Sequence, residues 1–103
     1  MLTLPIKKKW FDMIKSGEKK EEYREIKPYY TIRFDFEDEI KNGEILKTVY
    51  SSREILLKNG YSNKSPTIKC RVIIEKGYGK EEWGAEPNKM YYVLRILDVE
   101  EIK

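Results

Sequence analysis

One stretch of this chain organises the rest, residues 17–24, which read Gly-Glu-Lys-Lys-Glu-Glu-Tyr-Arg. Gly17 suits the position just past a helix end, where a left-handed backbone favours a residue without Cβ. If residues 20–26 are extended, the period of two places Glu22 and Arg24 on one face, and the turn can bring Lys19 to it. A carboxylate flanked by two cations in a concave place can bind an anion, polarise a carbonyl or relay a proton. The simpler alternative is a solvated charge run on an edge strand.

Composition narrows the classes of function. With 103 residues, the chain forms one domain, residues 1–103, around one modest core. Its net charge of +3, from 21 cations and 18 anions, does not indicate a dedicated polyphosphate binder, but it allows a local basic face. The chain has no histidine and one cysteine, Cys70, which excludes a Cys/His zinc site and every histidine-dependent triad. Any chemistry must therefore use Lys, Glu, Asp, Tyr, Ser, Thr, Cys70 or an oxygen-bound hard cation. We expect no cofactor, and no metal site is predicted.

Location is predicted from what the sequence lacks. No apolar run approaches 18 residues, and Met1–Pro5 does not have the basic-then-apolar layout of a signal peptide. A lone cysteine fits a reducing compartment. We expect a cytoplasmic protein without a membrane partner.

The beginning of the chain predicts a helix followed by a strand. Leu2–Leu4 is a short strand or a strap, and Pro5 fits the first turn of a helix. Apolar residues recur at helical spacing over residues 6–14. Lysines 7–9 either form the solvent-exposed face of this helix, which is the favoured interpretation, or contact phosphate. Residues 20–26 form a strand that ends before Lys27-Pro28.

The next segment is ambiguous. Tyr29 and Tyr30 are expected in a turn or loop, where they fill the rim of the core or stack on a base. Residues 31–36 alternate as a strand does. Ile32, Phe36 and Ile40 also fit one helical face, and residues 35–41 are rich in helix formers, so both interpretations stay open. Asn42-Gly43 marks a turn, and residues 44–50 favour no element.

Three strands are predicted in the second half, at residues 53–58, 67–76 and 90–99. Residues 67–76 alternate most clearly, and Cys70 lies on their apolar face as a small core residue. Residues 90–99 are apolar on both faces, as in the centre of a sheet. Together with one helix, these strands predict a small α+β domain, mainly β, in which a curved sheet closes on itself.

Loops separate these strands. Residues 61–66 form a polar loop, and residues 77–88 form a long loop that contains Trp83. A tryptophan there either plugs the core, which is the favoured interpretation, or serves as a stacking platform for a ligand.

The spacing Gly-x-Lys-x-x-Glu-x-Arg resembles the signature of the ASCH domain family, part of the PUA-like superfamily, and its positions are Gly17, Lys19, Glu22 and Arg24. Residues 4–17 resemble the opening helix of that family. Residues 79–87 resemble the Trp-Gly-containing stretch of its small bacterial and phage-type members. The resemblance implies a PUA-like small β-barrel with flanking helices, in which the signature lines a cleft at the helix–strand junction.

The resemblance also implies RNA binding, so we expect a single-stranded RNA or nucleotide-like ligand in this cleft. Cationic side chains would hold phosphate and aromatic ones would stack on unpaired bases. The expected binding residues are Lys19, Glu22, Arg24, Tyr29, Tyr78 and Trp83, with Tyr30 and Tyr61 as further stacking candidates. Affinity should be weak, because a net charge of +3 releases few counterions.

A small hydrolase is the competing hypothesis from another class. One branch that resembles ASCH comprises N4-acetylcytidine amidohydrolases, whose signature lysine acts as base or nucleophile with a threonine and a distant glutamate. Lys19 matches that lysine, but Glu22 stands at the threonine position, and Glu82 or Glu86 is the candidate for the distant carboxylate. Lys19 and Glu22 are thus the catalytic candidates. The sequence is also compatible with a ribonuclease that uses a divalent cation, and with a protein-interaction domain.

Overall fold

The computed structural model describes residues 1–34, 37–41, 44–49 and 52–102, and for 37–41 and 44–49 it describes the backbone. The elements, in chain order, are β1 (Thr3–Pro5), α1 (Lys8–Lys15), β2 (Glu21–Glu25), α2 (Pro28–Phe34), β3 (Glu37–Lys41), β4 (Glu44–Val49), β5 (Ser52–Lys58), β6 (Thr67–Tyr78), a 3₁₀ turn (Glu81–Trp83) and β7 (Met90–Glu101).

Five strands form one sheet in the order β1-β5-β6-β7-β2, and β3 pairs with β4 in a separate antiparallel hairpin. Within the sheet β1 runs parallel to β5, and all other neighbours are antiparallel. Strands β6 and β7 are twice the usual strand length, and their pairing shifts register between Arg71 and Val72. The sheet curls into half a barrel with two helices, which confirms the predicted α+β, mainly β fold.

The core fills the concave side of this sheet. Strand β6 alternates as predicted, and the side chains of Ile68, Cys70, Val72 and Ile74 are all buried. Helix α1 contributes Phe11 and Ile14, and α2 contributes Phe34. Burial raises the pKa of the Cys70 thiol to about 12, so this cysteine is a core residue and not a nucleophile.

Strand β7 is buried on both faces over its first half, as its apolar sequence predicts. Tyr92 and Leu94 face the main core, whereas Tyr91 and Val93 pack with Ala85 in a second, smaller cluster on the other face. This second cluster lies under the loop that precedes β7.

The prediction that Pro5 begins the first helix is wrong. Pro5 ends β1, where it lies opposite Lys58 of β5, and α1 begins at Lys8. Proline is tolerated there because β1 is an edge strand, so its missing N–H interrupts no ladder.

The prediction of a loop at Tyr29 and Tyr30 is also wrong, because both residues belong to α2. Pro28 is the first residue of this helix, where its fixed φ favours a helical start. Tyr30 and Phe34, one turn apart, stack with ring centroids 5.6 Å apart, and Phe34 meets Tyr92 edge to face. For residues 31–34 the helical interpretation is therefore correct. It is wrong for residues 37–41, which form strand β3. Residues 35–36 and the predicted Asn42-Gly43 turn lie outside the described residues, as does Tyr50.

No helix in the described ranges is both long and apolar enough to cross a membrane.

Candidate functional site

The turn after α1 places Lys19 beneath the sheet edge. Gly17 has φ +84°, the left-handed conformation that its sequence position predicts. The Lys19 N–H donates to the Met13 carbonyl at 2.9 Å, which folds the chain back under the last turn of the helix. The Lys19 side chain consequently points inward and is only 1% exposed.

Lys19, Glu22 and Arg24 form a buried chain of ion pairs. The Lys19 ammonium donates to Glu22 Oε1 at 2.8 Å, and the Arg24 guanidinium donates to Glu22 Oε2 at 2.8 Å. Both carboxylate oxygens of Glu22 are therefore paired within the protein, and the residue is only 6% exposed. Because desolvation makes an unpaired charge costly, each member depends on the others for burial. The predicted convergence of these three residues is therefore observed.

Arg24 also connects the two edge strands of the sheet. It projects from β2 at one edge, and its Nη2 donates to the carbonyl of Pro5 in β1, at the other edge, at 2.8 Å. Its Nη1 lies 3.4 Å from the Tyr30 hydroxyl. Among the described residues, its buried Nε has no hydrogen-bond partner. The guanidinium thus spans the gap that backbone hydrogen bonds leave open in the half-barrel.

Burial lowers the pKa of Lys19. Desolvation is the largest effect, and it outweighs the charge of Glu22 and its hydrogen bond, which raise the pKa; the positive charge of Arg24 lowers it further. A lysine with a lowered pKa in a cleft is a recognised feature of functional sites.

The loop between β6 and β7 is fixed to this site by three hydrogen bonds. The Lys19 ammonium donates to the Trp83 carbonyl at 2.7 Å. The Lys80 N–H donates to the Tyr23 hydroxyl at 2.9 Å, and the Glu86 N–H donates to the hydroxyl of Tyr91 at 2.9 Å. These hydrogen bonds hold the loop against the site, where it forms one wall.

Two glycines allow the loop to approach closely. A Cβ at Gly79 would lie 2.7 Å from the Tyr23 ring and 2.6 Å from Ala85 Cβ. Gly84 has φ +100°, and a Cβ there would lie 3.0 Å from Trp10 Cζ2. Packing of Gly84 on Trp10 joins the loop to helix α1.

Between these elements lies a cleft of about 420 Å³, within the range of about 300–1,000 Å³ that is typical of small-molecule pockets. Its floor is the Lys19–Glu22–Arg24 chain, and its walls come from β1, α1, α2 and the loop before β7. The charged residues in its lining are five cations and three carboxylates, Lys7, Lys19, Arg24, Lys27, Lys89, Glu22, Glu25 and Glu86.

Lysine ammonium groups lie over the aromatic rings of the cleft. All five rings described in the lining have such a partner, with distances from Nζ to the ring centroid of 4.4, 5.3, 5.5, 4.5 and 5.3 Å for the pairs Lys19–Trp10, Lys19–Tyr23, Lys27–Tyr30, Lys80–Trp83 and Lys89–Tyr91. Lys9 also lies 4.5 Å from the Trp10 centroid. Cation–π pairs of significant strength occur about once in 70–80 residues. Five such rings around one cleft are a local concentration of the groups that contact bases and phosphates.

The structure places four of the six predicted binding residues in the cleft and two outside it. Trp83 lines the cleft with the three residues of the floor, and it belongs to neither core cluster, so the favoured interpretation of Trp83 as a plug is wrong. Tyr29 and Tyr78 do not line the cleft. Tyr29 packs on the Arg33 guanidinium and on Tyr30, and Tyr78 is exposed at the end of β6.

Sequence reasoning missed several residues of the lining. The helical spacing places Trp10 on the apolar face of α1, although this residue is only partly buried and contributes to the wall. Tyr23 and Tyr91 form the other side, where β2 meets β7. The alternation of β2 places Tyr23 on the opposite face from Glu22 and Arg24, so it gave no signal for this residue, and the pairing of β2 with β7 was not predicted.

No protein-family model, curated protein or solved structure gives a significant match to this chain. Within the described residues, no group of three or more acidic or cysteine side chains is arranged to hold a metal ion.

Proposed function

We propose that this chain is an ASCH-like domain that binds single-stranded RNA by holding an unpaired nucleotide in the cleft. One observation carries the proposal. Aromatic side chains surround the cleft, a lysine ammonium lies near each of them, and the floor below consists of buried charges that pair with one another. Sequence-tolerant binding of single strands uses the same combination of stacking surfaces and a basic groove.

The floor has a supporting role in this proposal. Lys19 and Glu22 are buried and paired, so they position the Trp83 carbonyl and the Arg24 guanidinium instead of contacting phosphate themselves. The phosphate contacts come from exposed cations at the rim, Lys7 and Lys27, and from the half-exposed Lys89. This differs from the expectation that Lys19 holds phosphate directly.

Unpaired bases are favoured over duplex because the walls can accept a ring only if it has left its stack. Each base that stacks on an aromatic side chain contributes about 1–3 kcal/mol. The small net charge implies modest affinity with a shallow salt dependence. We also propose a cytoplasmic location, consistent with the buried free thiol of Cys70.

Fluorescence anisotropy with labelled single-stranded and duplex RNA of one sequence, over a salt series, tests the proposal. We expect tighter binding of the single strand, and Lys27→Gln should lower the slope of log K against log salt by about 0.7. Lys69→Gln is the matched control, because Lys69 pairs with Glu54 and Glu100 outside the cleft. Equal or absent binding of both RNAs at low salt would refute the proposal and favour a protein-interaction domain.

A second candidate is a hydrolase in which Lys19 acts as the base, and the lowered pKa of Lys19 in a cleft favours it. Two observations oppose the hydrolase. The Lys19 ammonium already donates to Glu22 and to the Trp83 carbonyl, and a carboxylate stands where the resemblance implies a hydroxyl. Binding without turnover is therefore the preferred function.

Incubation with N4-acetylcytidine, followed by chromatography for released cytidine, distinguishes the two candidates. We expect no release above the rate without protein. Turnover that disappears in Lys19→Met but persists in Lys8→Met would establish the hydrolase.

A further inference from the structure

A second concave surface adjoins the cleft. Two depressions of about 370 and 210 Å³ lie at the junction of β1, β5 and the loop after β5. The larger one shares residues 5–7 with the wall of the cleft, and both include Pro5, Gly60 and Tyr61. A ligand that leaves the cleft over residues 5–7 therefore enters a groove that leads to Tyr61.

Tyr61 is 92% exposed on a tightly folded loop. The Asn59 N–H donates to the Pro66 carbonyl at 2.9 Å and closes the loop. Inside it, the Ser62 N–H donates to Ser65 Oγ at 3.0 Å. A phenol ring displayed on a hydrogen-bonded loop loses little freedom when a ligand stacks on it, which makes it a suitable platform for a planar ring.

The charge of this groove differs from that of the cleft. Among the described residues, the lining of the two depressions contains Lys7 and Lys58 but no carboxylate. Lys7 is exposed and also belongs to the cleft, so its ammonium lies where the two surfaces meet. The groove is complementary to an anionic ligand that carries a planar ring.

We infer that this groove is a second nucleotide subsite, in which Tyr61 stacks on a base next to the one held in the cleft. Lys7 contacts the phosphate between the two nucleotides, and Lys58 contacts the one beyond. The inference rests on the proposed function, since it extends the same RNA strand from the cleft. It assigns the cationic side chain of Lys7 and the exposed ring of Tyr61 to one binding surface.

A length series of labelled uridylates, from one to eight nucleotides, tests the inference in three variants. We expect Tyr61→Ala to weaken binding of the longest oligomer by about 5- to 150-fold, the value of one base stacked on an aromatic ring. A single nucleotide, labelled uridine monophosphate, occupies the cleft alone and should bind Tyr61→Ala and the unmodified protein alike. Tyr61→Phe retains the ring and should bind every length as the unmodified protein does.

Leu97→Ala is the control for loss of an exposed apolar side chain, because Leu97 is 49% exposed on β7 and lines neither surface. If Tyr61→Ala binds all lengths as tightly as Leu97→Ala does, while the long oligomer still binds, the groove is refuted and the cleft stands. If neither the single nucleotide nor the longest oligomer binds the unmodified protein, the proposed function fails and the groove fails with it. Displacement of the long oligomer by oligoglutamate at equal charge concentration would also overturn the subsite, because it would show charge recognition without stacking.

Discussion

Replacement of Lys19 by methionine tests whether the buried ion pairs hold the cleft together. The change retains most of the aliphatic stem but removes the ammonium, so Glu22 Oε1 and the Trp83 carbonyl lose their donor. Breaking a buried pair by removing one partner costs about 3–5 kcal/mol. Arg24 still pairs with Glu22, and the desolvation of Lys19 is relieved, so we expect a loss of about 2–3 kcal/mol in the free energy of unfolding.

Urea denaturation followed by circular dichroism measures this loss, and Lys8→Met is the matched control. Lys8 donates to Asp12 at 2.6 Å, but these side chains are 77% and 52% exposed. An exposed pair of this kind contributes about 0.3–0.5 kcal/mol. The reasoning is refuted if both variants lose less than about 0.5 kcal/mol, because the Lys19 pair would then behave as a surface contact.

Gly84→Ala should lower the free energy of unfolding by about 1–3 kcal/mol, because the new Cβ would sit on a backbone with positive φ and 3.0 Å from the Trp10 indole. Gly77→Ala is the control, because its Cβ would meet its nearest atom at 3.8 Å and should change stability by less. Equal losses of the two variants in thermal melts would contradict this prediction. Burial raises the pKa of Cys70 to about 12 in the folded protein, against 9.0 in the unfolded chain, so above about pH 9 ionisation of the thiol favours the unfolded state and the free energy of unfolding should fall. The urea midpoints of the unmodified protein and of Cys70→Ala should therefore converge between about pH 8 and pH 11. A constant difference between the midpoints would refute the assignment of Cys70 as a buried thiol. Tyr78→Ala should bind single-stranded RNA within about twofold of the unmodified protein, since removal of a side chain that makes no ligand contact costs no stacking energy; a larger loss by anisotropy would return Tyr78 to the site.

Local patterns predicted much of the fold. The alternation of β6 indicated its buried face, the double-sided apolar run indicated β7, and Gly17 indicated the end of α1. These features depend on periodicity or on one residue's backbone preference, which a single sequence displays directly. The convergence of Lys19, Glu22 and Arg24 followed from a period of two and from one turn.

The remaining parts depend on long-range contacts. Pro28 favours a helical start, but the two tyrosines after it have no strong local preference, and α2 is stabilised because Tyr30 stacks on Phe34 one turn later and Phe34 meets Tyr92 of β7. The contribution of Trp10 to the cleft depends on the approach of Gly84, from a loop far along the chain. Spacing within one segment does not encode which loop will meet it.

The chain contains two tryptophans, Trp10 and Trp83, and both line the cleft. The indole N–H signals in a ¹H–¹⁵N correlation spectrum therefore report on the candidate site with no background from elsewhere. We predict that both signals shift on titration with single-stranded RNA and that neither shifts with duplex RNA at the same concentration. RNA that binds while both indole signals stay in place, or that leaves the whole spectrum unchanged, would contradict the proposal that the cleft holds an unpaired nucleotide.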